Sequence, residues 1–187
     1  YFAAGITTDH ECFTYEEALE KAQLGVKILI REGSAARNFE ALWPLLNVFP
    51  GQVMFCSDDK HPDDLVQGHI NQLVARAIAH GCDLFDTLRA ACIHPVEHYR
   101  LSVGQLREGD PADFIQVSDL THFRVVGNWI DGVKVAENGS TLLARLSVSA
   151  PNQFLAKPRE AVDFQFKTQL SESLKLSERT QSTANCR

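Results

Sequence analysis

Three short apolar runs in the first sixty residues each stop on a cluster of charged and polar side chains. Ala3-Ala4-Gly5-Ile6-Thr7-Thr8 runs into Asp9-His10-Glu11, Val26-Lys27-Ile28-Leu29-Ile30 into Arg31-Glu32-Gly33-Ser34, and Val53-Met54-Phe55-Cys56 into Ser57-Asp58-Asp59-Lys60-His61. A helical pattern follows each cluster. Strand, polar tip, helix, repeated, is the alternation of an α/β barrel or a doubly wound parallel sheet. In both folds chemistry sits at the carboxyl ends of the strands, so the three clusters are expected on one rim. Three parallel strands do not close an eight-stranded barrel, and the first residue is Tyr1. The chain therefore reads as part of a longer protein, with a small open α/β domain as the alternative.

The helices carry their own punctuation. Thr14-Tyr15-Glu16-Glu17 is a capping box and predicts a helix ending near Gly25, a residue suited to a left-handed cap. A second helix is predicted over residues 36–46, stopped by Pro50-Gly51. In a third, Asp63 and Asp64 favour the start, and Val66, Ile70, Leu73, Val74, Ala77 and Ile78 keep the spacing of a buried face up to Gly81. Asp83 starts a fourth helix carrying Leu84, Phe85, Leu88 and Ala91, and a last turn covers residues 95–99.

After Leu101 glycines and Asp-Pro, Asp-Gly and Asn-Gly pairs separate short β-branched runs. Phe114-Ile115-Gln116-Val117 reads as a strand. Residues 123–130 and 133–135 flank Asp131-Gly132, the strongest short hairpin signal. Residues 1–100 are thus expected to be α/β, 101–168 a small all-β module, and 169–187 a mobile tail rich in Ser, Thr, Glu and Lys.

Composition removes several function classes. A net charge of −6 argues against a nucleic-acid binder, which needs a basic face. No run approaches the roughly 20 apolar residues of a membrane helix, and the N-terminus shows no secretory pattern. The five cysteines include no C-x-x-C pair, which argues against a disulfide scaffold or a cysteine zinc knuckle and fits a reducing cytoplasm.

The rim clusters hold the residue types that bind ions and move protons. In Asp9-His10-Glu11, imidazole nitrogen and carboxylate oxygen are the usual ligands of zinc, manganese or iron; a hydrogen-bonding surface histidine is the plainer reading. Ser57 to Asp64 packs four acids and a histidine into eight residues. Capping accounts for Asp63 and Asp64 but not for Asp58, Asp59 and His61. Since neighbouring strand residues point to opposite sides, Asp58 and Asp59 are not expected to aim at one centre. Arg31-Glu32-Gly33-Ser34 is either a salt bridge with a tight turn or loop architecture around a polar substrate, with Glu32 or Ser34 bonding a base edge. His69, His80, His94 and His98 are expected to pack or lie on the surface.

The blocks Gly5–Glu11, Ile30–Ala36 and Phe55–Leu65, extended by Gly68-His69-Ile70-Asn71, resemble the bacterial-type adenine deaminases of the amidohydrolase superfamily. Gly104-Gln105-Leu106-Arg107-Glu108-Gly109-Asp110-Pro111-Ala112-Asp113-Phe114 resembles a return into a small β-sandwich found across the superfamily. The resemblance covers about residues 3–165. It implies the last three βα units, the sixth to eighth, of a metal-dependent (β/α)8 hydrolase, followed by that sandwich.

It further implies hydrolysis of adenine to hypoxanthine and ammonia, with Mn2+ or Fe2+ in a binuclear centre and a cytoplasmic homo-oligomer that engages neither nucleic acid nor membrane. Carried over, His10 and Asp58 hold metal and Asp58 moves protons; from the rim clusters themselves, Glu32 is taken as a further catalytic residue and Glu11, Ser34, Asp59 and His61 as facing the substrate. The family's His-x-His, bridging acid and fifth-strand histidine would precede Tyr1. The chain departs from the family at Ala91-Cys92-Ile93-His94, where an Ala-Thr-x-Asn type is usual, and beyond about Lys167. Two other readings remain: a related hydrolase of a cyclic amide or N-acetyl sugar, and a catalytically silent fragment.

Overall fold

The computed structural model describes residues 2–147, 149 and 152–164, so the tail expected from residue 169 lies outside the described residues. Two units separate at Arg145 and Leu146. The described part of the second contains a single 3-10 turn, Ala161–Phe164.

In the first unit, β1 (Thr8–Asp9), β2 (Lys27–Arg31) and β3 (Val53–Cys56) form a parallel sheet in that order. Asp9 is level with Ile28, and Arg31 with Cys56. All three strands therefore end toward one edge, as the alternation of runs and tips requires. The first run differs from expectation. Residues 2–4 make a 3-10 turn, Gly5 follows at φ 81°, and only Thr8 and Asp9 pair. The alanines and glycine there have little β preference.

Helix α1 (Tyr15–Gln23) starts where the capping box puts it, with Thr14 Oγ1 accepting the Glu17 N–H at 3.3 Å. It ends at Gly25, whose φ is 86°. The helix predicted over 36–46 is instead two short ones, α2 (Phe39–Leu42) and α3 (Leu45–Val48). Residues 33–37 are drawn into a turn closed by Gly33 N–H to Ala36 C=O and Asn38 N–H to Arg31 C=O. Pro44, without an N–H, then separates the two helices.

The third predicted helix also divides, into α4 (Pro62–Leu65) and α5 (Ile70–Ala79), because Gly68 adopts φ 154° and His69 is not helical. Val66, expected on the buried face, is 88% exposed. Helix α6 (Leu84–Leu88) is capped by Asp83, which accepts the Asp86 N–H at 2.9 Å. It runs through a π turn, Arg89–Ile93, into α7 (His94–Tyr99). The wide turn lies just before Pro95, whose ring would strike the carbonyl four residues back in a regular helix.

The core lies between the sheet and these helices. Ile28, Ile30, Val53 and Phe55 face Ala18, Ala22, Phe39, Leu42, Leu45, Leu73, Val74 and Ala77, all buried. Each fully buried large apolar side chain contributes about 1.5–3 kcal/mol. Along β2 the alternation puts Ile28 and Ile30 on the helix side and leaves Leu29 and Arg31 for the other face.

Strands β4 (Phe114–Val117), β5 (Val125–Ile130), β6 (Val133–Glu137) and β7 (Ser140–Thr141) form an antiparallel meander. Asp131-Gly132 and Asn138-Gly139 make its turns with positive φ at both residues, the arrangement that matches strand twist. Among the described residues the module is a single four-stranded sheet. Phe123, read as strand, sits before β5 at φ 50° and is buried in the core, where its carbonyl accepts the Asn71 amide at 3.0 Å.

The run from Gly104 to Phe114 folds on its own aspartates. Asp113 accepts the Gly104 N–H at 2.7 Å and the Asp131 N–H at 2.7 Å. Asp110 accepts the Gln105 N–H at 2.9 Å and Arg107 Nε at 3.1 Å. These bonds favour the charged forms and hold both carboxyls below their usual range. A Cβ on Gly104 would fall 1.8 Å from the Pro111 carbonyl oxygen, a backbone atom that cannot turn aside. Gly104→Ala is therefore expected to destabilise the whole protein by about 1–3 kcal/mol in denaturant titration, and an unchanged midpoint would contradict this packing.

Candidate active site

Asp9, the last residue of β1, turns inward. Its Oδ2 meets Lys21 Nζ at 2.6 Å and its Oδ1 accepts the Glu11 N–H at 2.7 Å. Burial pushes its carboxyl up, but the Lys21 ammonium and the Glu11 N–H outweigh this and hold it below the usual range. Asp9 thus anchors the tip, and His10 and Glu11 project from it, with side chains 48% and 63% exposed.

Arg31, at the end of β2, meets that tip. Its Nη1 and Nη2 donate to the two Glu11 oxygens at 3.2 and 2.7 Å, and Nη1 also donates to Asp58 Oδ2 at 2.9 Å. Strand β3 has already stopped at Cys56, and Asp58 sits in a turn at φ 48°, a region that aspartate tolerates better than most residues. Asp58 and Asp59 do point apart, but through this turn rather than through strand alternation. Asp58 Oδ1 is left facing His10 Nε2 at 3.8 Å.

A second network joins the other rim residues. Ser34 Oγ donates to Asp64 and accepts the His61 N–H at 2.9 Å. Asp59 Oδ2 accepts the Ala35 N–H at 3.3 Å, and Asp59 Oδ1 lies so close to Gly33 that a Cβ there would come within 1.9 Å. Ser34, Asp59 and His61 therefore lock the β2 tip to the β3 tip. Glu32 goes elsewhere. Its Oε2 pairs with Arg76 Nη1 of α5 at 2.8 Å, and Arg76 also binds Glu40 at 2.5 Å and lies over the Phe39 ring at 4.0 Å. The geometry gives Glu32 a structural partner and gives Asp58 an open oxygen. A polar cavity of about 220 Å³, lined by Glu32, Lys60, Asp64, Gln72 and Arg76 among others, opens beside these tips.

One buried residue escaped the sequence reading. Asn38 Oδ1 accepts the Arg31 N–H at 2.8 Å, and its Nδ2 donates to the Cys12 carbonyl at 3.0 Å. It ties the β2 end to the segment after β1. The local signal was present, a polar residue just before Phe39-Glu40-Ala41-Leu42, but its partners lie 7 and 26 residues away. His94 Nδ1 lies 2.9 Å from the Val53 carbonyl, a packing role for the residue where the chain departs from the family pattern.

The donor set fits a share of a divalent-ion site. A neutral imidazole and a carboxylate are suitable ligands, and 3.8 Å between His10 Nε2 and Asp58 Oδ1 is less than twice a ligand bond of about 2.0–2.2 Å. Among the described residues no cluster of three His, Cys, Asp or Glu side chains forms a metal-holding group. Burial pushes the Cys12 and Cys56 thiols up to about 11, so neither offers a thiolate at neutral pH.

This fold has solved counterparts. Two structures of β-aspartyl dipeptidase from Fervidobacterium islandicum AW-1 match with TM-scores of 0.55 and 0.57 at 20% and 21% identity, over 71% of this chain and 39% and 37% of theirs. That is a likeness of fold. The Amidohydrolase family model matches residues 2–137, and the chain belongs to this family. Its curated relatives include an adenine deaminase of Salinibacter ruber, 56% identical over 88% of this chain, and one of Sulfurovum sp., 58% identical over 88%. An adenine deaminase of Methanosarcina acetivorans is 57% identical over 82% of this chain. The chain spans 28–31% of the length of these relatives. No helix among the described residues is long and apolar enough to cross a membrane.

Proposed function

We propose that this chain supplies part of the active-site rim of a metal-dependent hydrolase that converts adenine and water to hypoxanthine and ammonia. The observation that carries the reading is the pair His10 and Asp58, from different strand ends, facing each other at 3.8 Å in a chain 56–58% identical to adenine deaminases. In this reading residues 1–100 are the C-terminal part of a (β/α)8 barrel, with β1, β2 and β3 as its sixth to eighth strands. Residues 101–168 are then a β-sandwich module and 169–187 a tail, and the remaining metal ligands lie in the preceding part of the protein.

His10 and Asp58 would hold a divalent ion, Mn2+ or Fe2+, of a binuclear centre. Such an ion lowers the pKa of a coordinated water so that a nucleophile is available at neutral pH. The Asp58 carboxylate takes the proton of the attacking water and passes it to the amine leaving C6. Oxygen from water replaces that amine, which departs as ammonia. Glu11, Ser34, Asp59 and His61 shape the rim around the base, and Glu32 acts from the wall it shares with Arg76. The protein is a cytoplasmic homo-oligomer that handles a small-molecule substrate.

The test is ammonia release by the whole protein, loaded with Mn2+, from adenine and from a panel of cyclic amides and N-acetyl sugars. Selective release from adenine is expected. Turnover of the panel without adenine would replace this reading by its closest rival.

A further inference from the structure

Arg31 is held from every side the rim offers. Its side chain is 6% exposed. Its backbone N–H and C=O both bond Asn38, at 2.8 and 3.1 Å, and its guanidinium carbon lies 5.4 Å from the centre of the Phe13 ring. The guanidinium reaches the β1 tip through Glu11 and the β3 tip through Asp58. Meanwhile Arg31 Nε is buried with no hydrogen-bond partner among the described residues. Leaving a buried donor unpaired is costly, so this orientation of the fork is kept for its other contacts.

We propose that Arg31 is a positioning residue. Its guanidinium commits Asp58 Oδ2, leaves Asp58 Oδ1 turned to His10 Nε2, and holds Glu11 beside it. Asp58 can then offer a single oxygen to whatever lies next to His10. A lysine cannot reproduce this, because an ammonium is a point charge without a planar fork. The inference rests on the deaminase reading only for the substrate used to measure turnover.

The whole protein is compared with R31K, R31M, D58N and R31M/D58N by steady-state kinetics on adenine. R31M is expected to lose about 10- to 100-fold in kcat with KM changed by less than about threefold, R31K to recover part of the loss, and R31M/D58N to be no slower than D58N. A merely structural arginine would not give that non-additivity. R31M turnover within about twofold of the parent, or an R31M effect that multiplies fully onto D58N, would overturn the proposal. The second readout is the crystal structure of R31M, or of R31K if R31M does not fold. Asp58 is expected to be rotated or in two conformers, and an unchanged Asp58 carboxylate overturns the proposal. A parent that releases no ammonia from adenine refutes the substrate reading alone, and the diffraction readout then decides Arg31.

Discussion

Asp58→Asn in the whole protein is expected to lower adenine turnover by about 10²- to 10⁴-fold, the range removed with a general acid–base group. The substitution keeps the shape of the side chain and removes its charge and its capacity to carry the proton. The fold should survive, because Arg31 keeps its two-point pairing with Glu11 at 3.2 and 2.7 Å and is not left as a buried unpaired cation. Thermal unfolding should therefore move little while kcat collapses. Near-parent kcat in a folded D58N protein would remove Asp58 from the chemistry.

The second large effect concerns stability. Asn38 is 3% exposed and serves two main-chain groups, accepting from Arg31 N–H and donating to Cys12 C=O. Asn38→Ala strands both in a site that water does not reach. At about 1–3 kcal/mol for each of the two buried unsatisfied groups, the loss should be about 2–6 kcal/mol in denaturant titration. Asn38→Asp keeps the acceptor and loses the donor, so it should fall between. Turnover should drop with N38A as well, since Asn38 fixes the backbone from which Arg31 reaches Glu11 and Asp58. A loss below about 0.5 kcal/mol would show that Asn38 is not the clasp described.

Much of this architecture is legible in the residues. The three tips are found on one edge because apolar runs that end in charge mark strand ends, and that edge is the parallel register of β1, β2 and β3. Thr14 and Asp83 cap helices as their chemistry dictates, and Asp131-Gly132 turns the hairpin. Periodicity fails where one residue breaks a helix without breaking the apolar spacing. Pro44 divides 36–46, and Gly68 divides 62–79 and leaves Val66 in water.

The site is legible in residue types more than in partnerships. Arg31 and Glu32 are neighbours of opposite charge, so a pairing between them is the simple guess. Strand geometry sends them apart instead, Arg31 to Glu11 and Asp58, and Glu32 to Arg76. Asn38 has a local signal, a polar residue just before Phe39-Glu40-Ala41-Leu42, but its role rests on the Arg31 N–H and the Cys12 C=O, which other segments supply.

The most direct measurement is anomalous diffraction from crystals of the whole protein grown with Mn2+. A manganese peak is expected within bonding distance of both His10 Nε2 and Asp58 Oδ1, with Asp58 Oδ2 still on Arg31. Manganese bound elsewhere on the rim, with His10 and Asp58 both unligated, would contradict it.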